Sequence, residues 1–523
     1  MSVSNIRRRR KMKLQKRKKV KFNPYLAMMK KFNYRNILGL LILALFLLKS
    51  CREAPLPVPK PPDDYEQQAP ELTQKINDFI QLIMEDVYLW YKEIPDIDIR
   101  YEFDPKAYFE KLLYTEDKWS FITDDIEALE NSFEGVETTF GYSLAFGRFS
   151  NTGDIFALVE FVYPDTPASE AGIERGDIIV LMNGEDITDD NYTDLLYAGS
   201  LNINLGIQGD GGISVSPNSI NMTARELSLD PVLITDIIEH EGHKIGYLFY
   251  AQYISNFNPS LDNAFRQFQE QQITDLVVDL RYNPGGGTGA AQYFCSSVAP
   301  SGVANSKATL VTFQWNDKYQ QYWESRNVTS QLKVQFTDTT AVQMGLNNLY
   351  VLTGSGTASA SELTITGLKP YMNVTTIGES TYGKYTASIT FKPEDLLKDE
   401  RGNGYYDSPA DYEDFDNWGL QPIVIRYANS QGVTDFKDGF APDIPVYDDL
   451  LAGIPLGNKQ EPLLKAAIEE ITGTKIMALK KARVEIPFTI FDRGFSRFDK
   501  NKRELLIDLN AVNFVEKINS DLH

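Results

Sequence analysis

Histidine and cysteine are nearly missing from this chain, and each shortage narrows the chemistry open to it. Only His240, His243 and His523 occur in 523 residues. A serine nucleophile here has little imidazole to draw on, so a Ser-His-Asp arrangement is poorly supplied and another base is needed. His240 and His243 stand in Glu239-His240-Glu241-Gly242-His243, which lacks the spacing of a helical zinc pair and reads as solvated turn residues before a strand. No metal and no cofactor is expected. The two cysteines, Cys51 and Cys295, lie far apart, one beside a proline-rich stretch and one in an apolar segment. No disulfide is expected, and Cys295 reads as a small buried hydrophobe. Long apolar runs are also lacking: Asn36 to Leu48, NILGLLILALFLL, falls short of the roughly 20 residues a spanning helix needs.

Acidic residues are absent from the first 50 positions, which hold 15 Lys/Arg. The remainder carries 37 of the 52 basic side chains against all 72 acidic ones, a net charge of −35. A body this acidic repels phosphate backbones, and nucleic acid is excluded as a partner. The basic stretch followed by the short apolar run reads as the n-region and h-region of a signal peptide over residues 1–50. Initiation at Met28 or Met29 would shorten an unusually long n-region. Leu48-Lys49-Ser50-Cys51 resembles the lipobox of bacterial lipoproteins, with Lys49 departing from its usual pattern. That resemblance implies a diacylated Cys51, a membrane anchor, and an exported protein of the periplasm or outer membrane. Ordinary signal cleavage and an uncleaved anchor are the alternatives. Residues 51–70, with six prolines, read as an extended tether.

A chain of this length holds two to four domains. Over 71–136 helical spacing dominates: Ile76, Phe79, Ile80, Ile83, Met84 and Val87 share a stripe, and Pro105 to Leu113 reads as a second helix. Over 137–228 short strands and tight turns take over. Phe140–Phe149 and Ile155–Tyr163 read as strands, and Ile178–Met182 leads into an Asn183-Gly184 hairpin turn. The run from Pro167-Ala168-Ser169 through Ala171-Gly172-Ile173 and Arg175-Gly176-Asp177-Ile178-Ile179 to Asn183-Gly184 resembles a PDZ domain. The resemblance implies that Gly141, Tyr142, Ser143 and Leu144 form a loop receiving a ligand's terminal carboxylate, with the ligand adding as a strand. Ser143 stands where a second glycine is common.

Residues 229–470 alternate strand, loop and helix, an α/β pattern. Three segments there could carry chemistry. Asp279-Leu280-Arg281-Tyr282-Asn283-Pro284-Gly285-Gly286-Gly287 leaves a buried strand, and its N–H groups could hold an anion or serve as a bare turn. Gly354-Ser355-Gly356-Thr357-Ala358-Ser359-Ala360-Ser361-Glu362 sets serines at a strand–helix junction, where a helix cap is the alternative to a nucleophile. Gly378-Glu379-Ser380-Thr381-Tyr382-Gly383-Lys384 nearly matches a phosphate loop. However, Tyr385 replaces the magnesium-binding hydroxyl and a strand-like run follows, so no nucleotide is expected. Lysine can act as a base when burial disfavours its ammonium.

Together, a PDZ-like segment, D-L-R-x-N-x-G-G, S-A-S-E and G-x-x-x-x-G-K resemble the C-terminal processing, or tail-specific, serine peptidase family in the lipoprotein form of Gram-negative bacteria. The resemblance covers roughly residues 137–470. It implies a multidomain α+β chain with an N-terminal helical domain, a PDZ-like β-domain and an α/β, ClpP/crotonase-like peptidase core. It further implies a Ser359/Lys384 dyad and an oxyanion hole of backbone N–H groups from Gly285 or Gly286 and Ala360. Many members place a glutamine four residues after the lysine; here that position is Ser388, a possible third catalytic residue. Substrates would be polypeptides with free C-termini. A catalytically silent peptide-binding lipoprotein is the alternative, and residues 471–523 are unassigned.

Overall fold

The computed structural model describes residues 67–209, 212–400, 402, 404–477, 487–493 and 505–506. The signal peptide and the lipidation expected at Cys51 lie outside them. Among the described residues no helix is long and apolar enough to cross a membrane.

The first helix, Glu71–Val87, forms where the stripe was expected, with Phe79, Ile80, Ile83 and Met84 fully buried. Each such side chain contributes about 1.5–3 kcal/mol by leaving water. The stripe packs into the same apolar cluster as Leu248, Phe265, Val278, Leu363 and Ile425, so it braces the α/β core. The next helix, Pro105–Leu112, starts on Asp104, whose carboxylate accepts the N–H groups of Lys106 and Ala107; Pro105 at its first position costs no hydrogen bond.

Between them and the core in chain order comes a β-rich region with its own apolar cluster, including Phe140, Leu144, Phe146, Val159, Ile179 and Ile203. Strands Tyr142–Phe149, Ile155–Val162, Ile178–Met182, Ser200–Gly209 and Gly212–Thr223 lie side by side, antiparallel throughout. Asn183 and Gly184 both take positive φ, as the expected hairpin requires. The outer edge of Tyr142–Phe149 is covered by Phe488–Arg493, a strand from the segment that the sequence left unassigned.

The α/β core has two sheets. In the first, a hairpin of Val232–His240 and His243–Tyr250 leads into four parallel partners: Asp275–Asp279, Asn348–Thr353, Asn373–Gly378 and Ile444–Pro445. Helices Asn258–Glu270 and Ala360–Leu368 make crossovers between parallel strands, as parallel pairing demands. The second sheet runs Gly286–Gly287, Leu505–Leu506, Thr386–Ser388, Ile423–Asn429, Thr309–Trp315 and Lys333–Gln335. A strand, not a helix, thus follows Lys384, in keeping with the reading against a phosphate loop.

Candidate active site

Three neighbouring parallel strands deliver the three motifs to one edge. Asp275–Asp279 pairs with Asn348–Thr353, and that strand with Asn373–Gly378, with Thr353 opposite Gly378. The glycine loop, the serine turn and the loop carrying Lys384 therefore leave adjacent carboxyl ends, where open α/β sheets place their sites. Close approach of two loops dictates glycine at Gly356: a Cβ there would stand 2.7 Å from the carbonyl oxygen of Arg281. Asn283 joins the loops further, its carbonyl accepting from the Ala358 N–H and the Ser361 hydroxyl.

Ser359 stands at the N-cap of Ala360–Leu368 with φ 61° and ψ −111°, a conformation an L-residue adopts at a cost of about 1–3 kcal/mol. Its side chain is fully buried, and its Oγ has no hydrogen-bond partner. Ser359 and Glu362 stand in the positions of a capping box, while the serine hydroxyl itself makes no hydrogen bond. The helix end is served instead by Glu362, whose Oε2 accepts the Ser359 N–H at 2.8 Å. Ala360 opens the helix, where N–H groups have no intrahelical acceptor.

Glu362 also draws in the lysine loop. The same Oε2 accepts the Lys384 N–H at 2.8 Å, and Oε1 accepts from Gly383 N–H and the Thr381 hydroxyl, both at 2.6 Å. Burial pushes its carboxyl up to about 7, although four donors oppose the shift. On the far side, the Tyr427 hydroxyl lies 3.2 Å from the Ser359 carbonyl oxygen and 3.1 Å from that of Lys384. One carboxylate and one phenol thus hold the backbones of Ser359 and Lys384 together. Lys384 is itself buried. Ser388, on the strand just beyond, is buried with no partner for its Oγ. Neither Glu362 nor Tyr427 was assigned a role from sequence. Glu362 was visible within S-A-S-E, whereas nothing local marks Tyr427.

The glycine loop is rigid for visible reasons. Gly286 takes φ 134°, and a Cβ there would meet the Tyr253 carbonyl oxygen at 2.2 Å. Of the expected oxyanion donors, Gly285 spends its N–H on Asn283 Oδ1 at 2.9 Å, because Asn283 is itself fixed by a bond to the Tyr250 carbonyl. Below the loop lies a buried charge network. Arg281 pairs with Asp279 at 2.8 Å and with Glu461 at 2.5 Å, and reaches Asp448 at 3.2 Å. Burial raises the Asp279 carboxyl against the pull of Arg281. At Glu461 burial also acts upward, but the Arg281 guanidinium prevails and holds it below the ordinary value. From the β-rich region Arg175 joins in, bonding Asp448 at 2.9 Å and the Tyr282 hydroxyl at 2.5 Å.

The expected tail-binding loop is only partly presented to solvent space. Gly141, Tyr142 and Ser143 line a cavity of about 200 Å³ that extends to Tyr282 and Pro284 of the glycine loop. Leu144 does not join them; its side chain is buried in the β-rich cluster. Ser143 donates to Glu160 Oε2 at 2.8 Å, a buried acid that sequence reasoning passed over within an apolar strand.

Elsewhere, Cys295 is buried on helix Thr288–Val298, where burial pushes its thiol up to about 12. His240 and His243 flank a hairpin turn, and His243 Nδ1 lies 3.1 Å from Asp275 Oδ2.

Residues 244–446 match the model of peptidase family S41, and residues 75–121 match that of the peptidase S41 N-terminal domain. A carboxyl-terminal-processing protease of Synechocystis is 24% identical over 61% of this chain and 66% of its own length. A carboxy-terminal processing protease of Bacillus subtilis is 26% identical over 50% and 48%. The chain thus spans between about half and two thirds of these curated relatives. A Bacteroides fragilis protein, solved as a candidate S41 protease, is 28% identical with a TM-score of 0.59, covering 76% of this chain and 97% of that one. With the three motifs on one sheet edge, residues 244–446 carry the peptidase family S41 domain, and residues 75–121 ahead of them carry the peptidase S41 N-terminal domain.

Proposed function

We propose that this chain is a serine endopeptidase of the carboxyl-terminal-processing type, working through Ser359 and Lys384. The observation that carries the reading is the buried, partnerless hydroxyl of Ser359 on a backbone tied to that of Lys384 through Glu362. In the reaction the neutral Lys384 amine takes the Ser359 proton as Oγ attacks a peptide carbonyl; burial disfavours the ammonium and so favours this role. The oxyanion rests on the N–H groups of Ala360 and Gly286, with Gly285 joining only if its bond to Asn283 opens. Lys384 then returns the proton to the leaving amine, and water releases the acyl-enzyme. Ser388, whose Oγ is buried without a partner on the strand just beyond Lys384, takes the sequence position of the family's glutamine and is the candidate third catalytic residue. No metal or cofactor takes part.

The β-rich region reads as a PDZ-like module and the two-sheet region as a ClpP/crotonase-like core. Free C-termini of polypeptides enter the cavity lined by Gly141, Tyr142 and Ser143, which leads toward the glycine loop. The protein acts in the cell envelope of a Gram-negative bacterium, held there through Cys51. The test is proteolysis of an unfolded model protein by the full chain and by its Ser359→Ala and Lys384→Ala variants. Cleavage by wild type alone, from three equally folded proteins, is expected; retained turnover in either variant would refute its assigned role. Amidating the substrate's C-terminus should raise KM, which checks carboxylate recognition.

A further inference from the structure

Strand Tyr142–Phe149 begins at the tail-binding loop, and a peptide adding to its outer edge would run antiparallel with its C-terminal end toward that loop. The chain already supplies such a strand. Phe488 lies opposite Phe149, Ile490 opposite Gly147, and Arg493 opposite Ala145, so the segment runs antiparallel and toward the loop. Its far end is chemically anchored. The Arg493 guanidinium forms an ion pair with Glu160, fully buried on the neighbouring strand, and its Nε donates to Ser355 Oγ at 3.2 Å, in the turn that leads to Ser359. Glu160 in turn accepts from Ser143 of the loop. Further along the same segment, Leu505 pairs with Gly286 and Leu506 with Gly287 and Ser388, between the glycine loop and the strand after Lys384.

We infer that the edge of Tyr142–Phe149 together with Glu160 is a binding site for extended, arginine-bearing peptide segments, and that the chain's own Phe488–Arg493 is its resident ligand, which an incoming substrate must displace. The inference rests on the peptidase reading only for its consequence, since occupancy of the edge is independent of catalysis. Arginine is specified because departure of the resident strand removes the cation paired with Glu160, and a newcomer bearing a guanidinium restores the pair. Displacement is hard because a tethered strand acts at an effective concentration of order mM.

The test uses the full chain carrying Ser359→Ala, so that binding is read without turnover. The probe is a labelled, amidated peptide, Pro-Phe-Thr-Ile-Phe-Asp-Arg, copied from residues 487–493. Adding Arg493→Ala should loosen the resident strand and tighten peptide binding at least tenfold, and replacing the peptide's arginine by glutamine should weaken it at least tenfold. Equal affinity with and without Arg493→Ala, no discrimination between the peptides, or no binding to the Arg493→Ala protein would overturn the inference. Should that variant fail to fold, hydrogen exchange on the Ser359→Ala chain decides. Saturating peptide should speed exchange of the amides of 488–493, and unchanged protection would sink the proposal. Failure of the peptidase reading would show separately, as cleavage retained by Ser359→Ala.

Discussion

Glu362 shows how one side chain can be prominent in a motif and still hide its task. Its position three residues into a helix predicts a cap, and it does accept the Ser359 N–H. Its other three donors, Thr381, Gly383 and Lys384, come from a loop that only the fold brings near. Its carboxyl lies at about 7, above the ordinary 4.5. The folded protein therefore holds this proton more tightly than the unfolded chain. The stabilisation is fully present below the ordinary value and is lost as pH rises through the folded one, by about 3 kcal/mol. Glu362→Gln should remove that part of the pH dependence, measured as urea midpoints at about pH 5 and about pH 8. It should also lower kcat by roughly 10², because an amide N–H₂ would face backbone donors and misplace Ser359 against Lys384.

At the scale of elements, the strands that position the site were readable from the short apolar runs at their centres, Leu276–Val278 within Asp275–Asp279 and Leu349–Leu352 within Asn348–Thr353. The serine and lysine were readable through the spacing of their motifs. Phe488–Arg493 was not. It is short and half exposed, and its partner lies in another part of the chain, so its strand character comes from pairing rather than from its own pattern. The junction between strand Asn348–Thr353 and helix Ala360–Leu368 is where tolerance should be least. Gly356→Ala would press a methyl against the Arg281 carbonyl, and backbone on both sides leaves little room to yield. A loss of about 1–3 kcal/mol in unfolding free energy, with reduced activity, is expected. An unchanged melting temperature would mean that the two loops can part.

For the molecule as a whole, the buried charges beneath the glycine loop tie the β-rich region to the catalytic core. The D-L-R pattern exposed Asp279 and Arg281 to a reader of the sequence, but Arg175, Asp448 and Glu461 come from distant stretches and meet only in the fold. Arg281→Ala would strand Asp279 and Glu461 in a dry interior. The variant should lose about 3–5 kcal/mol in urea unfolding, and much of the peptidase activity with it, since Arg281 adjoins both the glycine loop and the serine turn. Arg175→Ala should cost less stability, yet, if the β-rich region binds tails as proposed, raise KM for long substrates more than it lowers kcat, because it frees that region from the core.

The left-handed backbone of Ser359 has a consequence for how such a chain changes over generations. Glycine occupies that conformation freely, so a Ser359→Gly protein should be more stable than Ser359→Ala by about 1–2 kcal/mol while being equally inert. Thermal melting of the two inactive variants measures the difference. On the proposed mechanism, a lineage screened for robustness alone would drift toward glycine at this position and fall silent, so durability and turnover pull in opposite directions at Ser359.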